Sequence, residues 1–226
     1  MGLSSIGQVV DCELEGRVRN YIWRKTPSQT TITGLWFDLS MSPGMPPPQY
    51  YIGGILTATQ LKQSTDGGIY HGTDVSPSEK YLRSITTQAN VTTALPMNAI
   101  LCDYLLFYPF IDEGTTDPQI TVNTNTLPRY TDGKGVQVMA VQTNAGTGGQ
   151  DFYFTYTNSD GVAGRTSKTV RMNTSITVGN IIGSTTATQG GASPFIGLQA
   201  GDSGVRSIES VTMLGIDTGL FSLVLV

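Results

Sequence analysis

Apolar positions are densest from Ala99 to Ile111, thirteen residues interrupted by one charge, Asp103. The run falls short of the ~20 residues needed to cross a bilayer. Its aromatic content favours a strand buried on both faces over a helix. It is therefore expected to be the spine of the core, with something packed on each side. Pro109 cannot donate to a ladder, so regular pairing is expected to stop or bulge there.

Around this spine the pattern is that of many short strands. Asp151 to Thr157 places Phe152, Phe154 and Tyr156 on one face against Tyr153, Thr155 and Thr157 on the other. Gly135 to Thr143 separates Val136, Val138 and Ala140 from Gln137, Met139 and Val141 in the same way. The Asn158–Gly161 turn leads into Thr166–Met172 and predicts a hairpin across Asp160-Gly161. Further strands are expected at Gln8–Cys12, Arg17–Lys25, Tyr50–Leu61, Gln119–Asn123, Ser175–Ile182, Pro194–Leu198, Gly204–Met213 and Gly219–Val226. Within Tyr50–Leu61, Gly53-Gly54 marks a bulge or a close approach. Asp66-Gly67-Gly68 is a hairpin signal. Ser76-Pro77-Ser78-Glu79 has the form of a capping box and allows a short helix over 77–83, with β-prone residues at Ile85–Thr87 and Val91–Thr93. Strands at this spacing predict an all-β fold, an antiparallel sandwich or jelly roll with little helix.

Ser42-Pro-Gly-Met-Pro-Pro-Pro48 breaks the strand pattern. Consecutive prolines favour an extended polyproline path and forbid ladder donation. The segment reads as an extended arm or connector lying on a neighbouring surface. Pro43, Pro46, Pro47 and Pro48, with the following Tyr50 and Tyr51, are candidate interface residues. The apolar end Leu220–Val226 is either a buried strand or a subunit contact, which adds Leu223 and Val226. Residues 1–75 are expected to form an N-terminal β region carrying the arm and 76–226 the main domain, or the two to run on as one.

Composition sharpens the picture. Charged residues are 13% of 226, about half the usual share, and there are 27 glycines and 31 threonines. Threonine suits exposed strand faces and glycine suits tight turns. A net charge of -4 and scattered basic residues argue against a nucleic-acid partner. The basic cluster Arg17, Arg19, Arg24 and Lys25 reads as a solvated face or subunit contact. No basic-then-apolar leader opens the chain, so neither a signal peptide nor a membrane anchor is expected. Cys12 and Cys102 are too few for a disulfide framework, and Cys102 inside the spine reads as a small hydrophobe.

Catalytic chemistry is sparse. His71, the single histidine, lies in a Gly-rich stretch with no nucleophile elbow, metal-binding helix or phosphate loop beside it. Asp112, Glu113 and Asp117 carry oxygens suited to a hard cation, but without the alternating ligand pattern they read as acids of an exposed turn. Trp23 and Trp36 could stack on sugars, yet both sit in strand-like apolar patterns and read as core. No enzyme, cofactor or metal site is expected.

Three stretches resemble a group of tailed-bacteriophage virion proteins. They are Leu101-Cys-Asp-Tyr-Leu-Leu-Phe-Tyr-Pro-Phe-Ile-Asp112, Thr126-Leu-Pro-Arg-Tyr-Thr-Asp-Gly133 and Tyr156-Thr-Asn-Ser-Asp-Gly-Val-Ala-Gly-Arg165. Leu198-Gln-Ala-Gly-Asp-Ser-Gly-Val-Arg-Ser-Ile-Glu-Ser210 fits the same group. The resemblance spans residues 80–226 and carries no catalytic motif. It implies a non-enzymatic structural component, assembled in the host cytoplasm into the virion: a capsid decoration (cement) protein on the major capsid protein, commonly a homotrimer. A tail, neck or baseplate piece, or a carbohydrate-binding receptor module, are the alternatives.

Overall fold

The computed structural model describes residues 3–27, 34–62, 66–72, 75–76, 79–89, 98–174, 177–184 and 193–226. Two antiparallel sheets face each other across one apolar layer. The first contains β3 (Thr59–Gln60), β4 (Leu106–Asp112), β11 (Leu220–Leu225) and β6 (Val138–Asn144), in that spatial order. The second runs β5 (Gln119–Ile120), β10 (Val205–Met213), β7 (Asp151–Asn158) and β8 (Arg165–Thr166), with β9 (Val170–Arg171) also on β7. The fold is an antiparallel β-sandwich, as the strand spacing predicts. The hairpin across Asp160-Gly161 forms, with Thr155 opposite Thr166 and Tyr156 opposite Arg165.

Alternation decides which side chains enter the layer. Tyr108, Ile111, Val138, Ala140, Leu223 and Leu225 from the first sheet meet Phe152, Phe154, Tyr156, Ile208 and Val211 from the second. The Phe152 and Phe221 rings meet across the gap, centroids 4.9 Å apart. Tyr108 carries a polar group into this layer and satisfies it: its hydroxyl donates to Asn123 Oδ1 at 2.7 Å and accepts from the Ile208 N–H at 3.1 Å.

The first sheet is buried on its other face as well. Phe107, Met139, Val141 and Val224 point outward into a second cluster with Met41, Tyr51 and Ile181, joined by Trp36, Tyr104 and Val226. The spine therefore has a layer on each side, as its apolar run requires. Its regular part begins only at Leu106. Pro109 also acts as expected: Phe221 pairs with Ile111 and Leu223 with Tyr108, so Pro109 and Phe110 bulge opposite Ser222 alone. Phe110 takes φ +61°, and the freed Pro109 carbonyl accepts from the Leu56 N–H at 3.1 Å.

On β10 the buried positions Val205, Ile208 and Val211 are three apart rather than two. The ladder to β7 steps over Arg206 and again over Glu209. Each bulge turns a charged side chain onto a loop. Arg206 reaches the Ser159 carbonyl at 2.6 Å, and Glu209 accepts from Thr157 Oγ1 at 2.7 Å and the Gly164 N–H at 3.0 Å.

The first hundred residues depart most from expectation. Gln8–Cys12 is not a strand but the middle of a helix, α1 (Ile6–Leu14), capped by Ser5 Oγ accepting from the Gln8 N–H at 3.3 Å. Ile6, Val10 and Leu14 recur at the four-residue spacing of a helix face, and this spacing prevailed over the β-branched pair at Val9-Val10. Of Arg17–Lys25 only β1 (Arg24–Lys25) is strand, and of Tyr50–Leu61 only β3. Asp66-Gly67-Gly68 forms a bend rather than a hairpin; Trp23 Nε1 donates to the Gly67 carbonyl at 3.0 Å. Residues 79–89 have no regular structure, so no helix extends over 79–83; Pro77, Ser78 and Val91–Thr93 lie outside the described residues. Residues 177–182 and 194–198 also lack ladder strands, although Asn180 and Ile181 make single bridges to Phe37 and Val141. Among the described residues no helix is long and apolar enough to cross a membrane.

Candidate functional site

The Pro-rich segment is tied to its own chain. β2 (Gly44–Met45) pairs with β1, and the Thr26 N–H donates to the Pro43 carbonyl at 2.8 Å. The strands lie so close that a Cβ on Gly44 would stand 2.0 Å from the Arg24 carbonyl oxygen, and φ there is +148°. Lys25 closes the turn from below: Nζ reaches the carbonyl oxygens of Pro46 at 2.9 Å, Ser42 at 3.2 Å and Ser40 at 3.3 Å. Partial burial lowers the Lys25 pKa, opposed by Asp38 and Asp66. Its ammonium also stands 5.7 Å from the Trp23 ring centre.

Asp38 fastens this layer to the sandwich. It is buried, and its carboxylate accepts from the Tyr51 hydroxyl, the Tyr104 hydroxyl (2.9 Å) and the Ser40 N–H (2.9 Å). Burial, followed by the adjacent Asp38 charge, holds both phenols protonated well above the ordinary tyrosine range. Three donors on one carboxylate link the segment 38–40, Tyr51 and the approach to β4.

The candidate interface residues fall into two groups. Pro43, Pro47 and Tyr50 are exposed, and Pro46 and Pro48 are half-buried. Tyr51 instead packs its ring on Phe107, centroids 5.2 Å apart. Leu223 is fully buried between the two sheets, and Val226 lies against the outer cluster. The C-terminal strand is thus the buried alternative of the two readings: it is covered by its own chain.

His71 is exposed, and its carbonyl accepts from Lys80 Nζ at 3.1 Å. Trp36 packs in the outer cluster and Trp23 is half-buried, so both rings are engaged within the chain. Arg17 pairs with Glu15 at 2.7 Å, and Arg19 donates to the Gly16 carbonyl. Cys12 and Cys102 are free and half-buried, and burial raises the Cys102 thiol pKa.

No family model, curated protein or solved structure matches the chain. Among the described residues, three of the 30 buried apolar ones precede Leu105, namely Met41, Tyr51 and Ala58. By contrast, 17 of the 24 large apolar residues exposed among the described ones do so. They include one face of α1 (Ile6 83%, Leu14 80% exposed), the turn before β3 (Ile52 76%, Ile55 72%) and the irregular stretch with Tyr81, Leu82 and Ile85. Ile120 and Val122 continue the second group, since Val122 bridges to Thr57.

The acidic turn holds one surprise. Asp112 is exposed and caps the Gly114 N–H, and Asp117 is exposed too, but Glu113 is fully buried. It shares the parity of Ile111 on β4, which turns it inward. Among the described residues no group of three or more His, Cys, Asp or Glu side chains is placed to hold a metal.

Proposed function

We propose that this protein is a non-enzymatic structural component of a phage particle, a decoration protein seated on the major capsid protein of the head. The supporting observation is the division of the chain. Among the described residues, those from Leu105 onward supply 27 of the 30 buried apolar side chains, whereas 17 of the 24 exposed large ones precede Leu105. A decoration protein needs a rigid body and segments that finish folding against neighbours. Its attachment sums many modest contacts, each specific interface burying above ~1,000 Å². Asp38 holds the N-terminal layer to Tyr104 beside β4 and Lys25 ties the Pro-rich turn together, with Pro43, Pro47 and Tyr50 exposed. The resemblance of residues 80–226 to virion proteins points the same way.

The test is multi-angle light scattering of the isolated protein, followed by mixing with heads that lack it. The expected result is a trimer that coats the heads, with coating weakened by Ile52→Asp and Ile55→Asp. A monomer that leaves heads bare overturns the reading. Label found on the tail or neck in micrographs would transfer the same structural role there.

A further inference from the structure

Glu113 lies where the C-terminal end of β4 meets the connection between β10 and β11. Its N–H donates to the Gly219 carbonyl at 3.3 Å, and its own carbonyl accepts from the Asp217 N–H at 2.8 Å. The two acids are thus held side by side by the backbone. Glu113 is fully buried and Asp217 is 8% exposed. One oxygen of each is accounted for. Glu113 Oε1 accepts from Gln142 Nε2 at 2.6 Å, and Asp217 Oδ1 accepts from Thr147 Oγ1 and from the Thr218 N–H at 2.7 Å. Glu113 Oε2 and Asp217 Oδ2 are buried with no hydrogen-bond partner. None of the ion pairs among the described residues involves either acid.

Two enclosed, adjacent carboxylates without a counter-charge are costly, because each ion loses its hydration and repels the other. Glycine shapes the space around them. A Cβ on Gly146 would stand 2.8 Å from Glu113 Oε2 and 2.3 Å from the Thr218 carbonyl oxygen, so both oxygens lie against the same glycine, where no side chain fits. A Cβ on Gly219, where φ is +131°, would stand 3.0 Å from the same Oε2. The fully buried Gln142 fixes the other carboxylate oxygen and leaves Oε2 beside Gly146 and the Thr218 carbonyl oxygen.

We propose that Glu113 Oε2 and Asp217 Oδ2, with the Thr218 carbonyl oxygen, hold a hard divalent cation, calcium by its chemistry. Two carboxylates match a double positive charge. All the candidate ligands are oxygens on loop and strand-end backbone, which suits the irregular shell of calcium. Magnesium demands near-ideal octahedral geometry, which oxygens on irregular turn backbone do not favour. Without the cation, burial pushes the Glu113 carboxyl up to about 7, Gln142 opposing and Asp217 and Asp112 adding to the rise. A proton is therefore the rival occupant. The ion would pin the loops on either side of it, 144–149 and 214–219, to the end of the sandwich.

The full chain is stripped with EDTA and titrated with calcium chloride at pH 8 by calorimetry and thermal unfolding, with magnesium chloride as control. One calcium per chain is expected, with a rise in midpoint of about 5–10 °C at a hundredfold excess over the dissociation constant. Glu113→Gln and Asp217→Asn should abolish the rise. In EDTA at pH 8, Glu113→Gln should be more stable than the native chain, a reversal that loss of packing does not produce. Coincident calcium and EDTA curves, with a midpoint that falls as pH rises through 7 in the native chain but not in Glu113→Gln, would assign a proton to the pair and overturn the proposal. A calcium shift that persists in both variants would also overturn it.

Discussion

Tyr51→Phe removes one hydroxyl and leaves the ring on Phe107. Its cost measures how firmly Asp38 holds the N-terminal layer. Asp38 is 3% exposed and Tyr51 1% exposed, so water does not replace the lost donor. A hydrogen bond to a charged group contributes ~1.5–3 kcal/mol. Asp38 keeps Tyr104 and the Ser40 N–H, so a loss of about 2 kcal/mol is expected. For a chain of this size that is roughly 4–8 °C of unfolding midpoint. Tyr104, only half-buried, should cost less as Tyr104→Phe. The assay is urea unfolding followed by tryptophan fluorescence, since Trp36 lies in the outer cluster. In an Asp38→Ala background the Tyr51→Phe cost should drop below ~0.5 kcal/mol, because the acceptor is gone. A cost that stays near 2 kcal/mol there would refute the lock and place the effect in ring packing.

Further outcomes follow from the same structure. Phe221→Ala removes the ring that meets Phe152 between the sheets and should cost ~3–5 kcal/mol by chemical denaturation; a loss under ~1 kcal/mol would mean the layers are not joined there. Lys25→Met should loosen the Pro-rich turn, seen as faster protease cleavage within 42–48 with little change in the global midpoint. Asp202 is held down to about 2, first by the Arg165 hydrogen bond and further by Tyr156 and Asn158. Its folded pKa lies below the ordinary carboxylate value, so its stabilisation is present above pH ~4 and disappears as pH falls toward 2. Asp202→Asn should flatten the thermal midpoint across that window, and an unchanged slope would exclude Asp202 as its source.

The sandwich was legible where alternation is strict. Asp151–Asn158 buries every second residue, and its partner across Asp160-Gly161 follows from the turn. Pro109 signalled its bulge because proline lacks the donor a ladder needs. The bulges at Arg206 and Glu209 were hidden, since a three-residue apolar spacing fits neither a straight strand nor a helix. Leu223 carried no mark to separate burial in its own chain from burial against a partner, as both require the same apolar pattern. α1 was readable in principle from Ser5 followed by Ile6, Val10 and Leu14, a helix start and stripe that outweighs local β propensity. Glu113 was grouped with its acidic neighbours. Its signal was positional: counted in twos from Ile111, it falls on the inward face.

The order of strands in the first sheet has a consequence for how the chain is made. Leu106–Asp112 and Val138–Asn144 do not pair with each other; Leu220–Leu225 lies between them and bonds to both. During synthesis these two flanking strands emerge well before the strand that joins them. Until then each carries an unpaired, strongly apolar edge, and the outer cluster has no complete floor on which Met41 and Tyr51 can settle. Closure of this sheet is a late, long-range event, and such pairings form slowly. The nascent chain thus depends on being shielded from its own copies while it waits, so lower temperature or a slower rate of expression should raise the soluble yield.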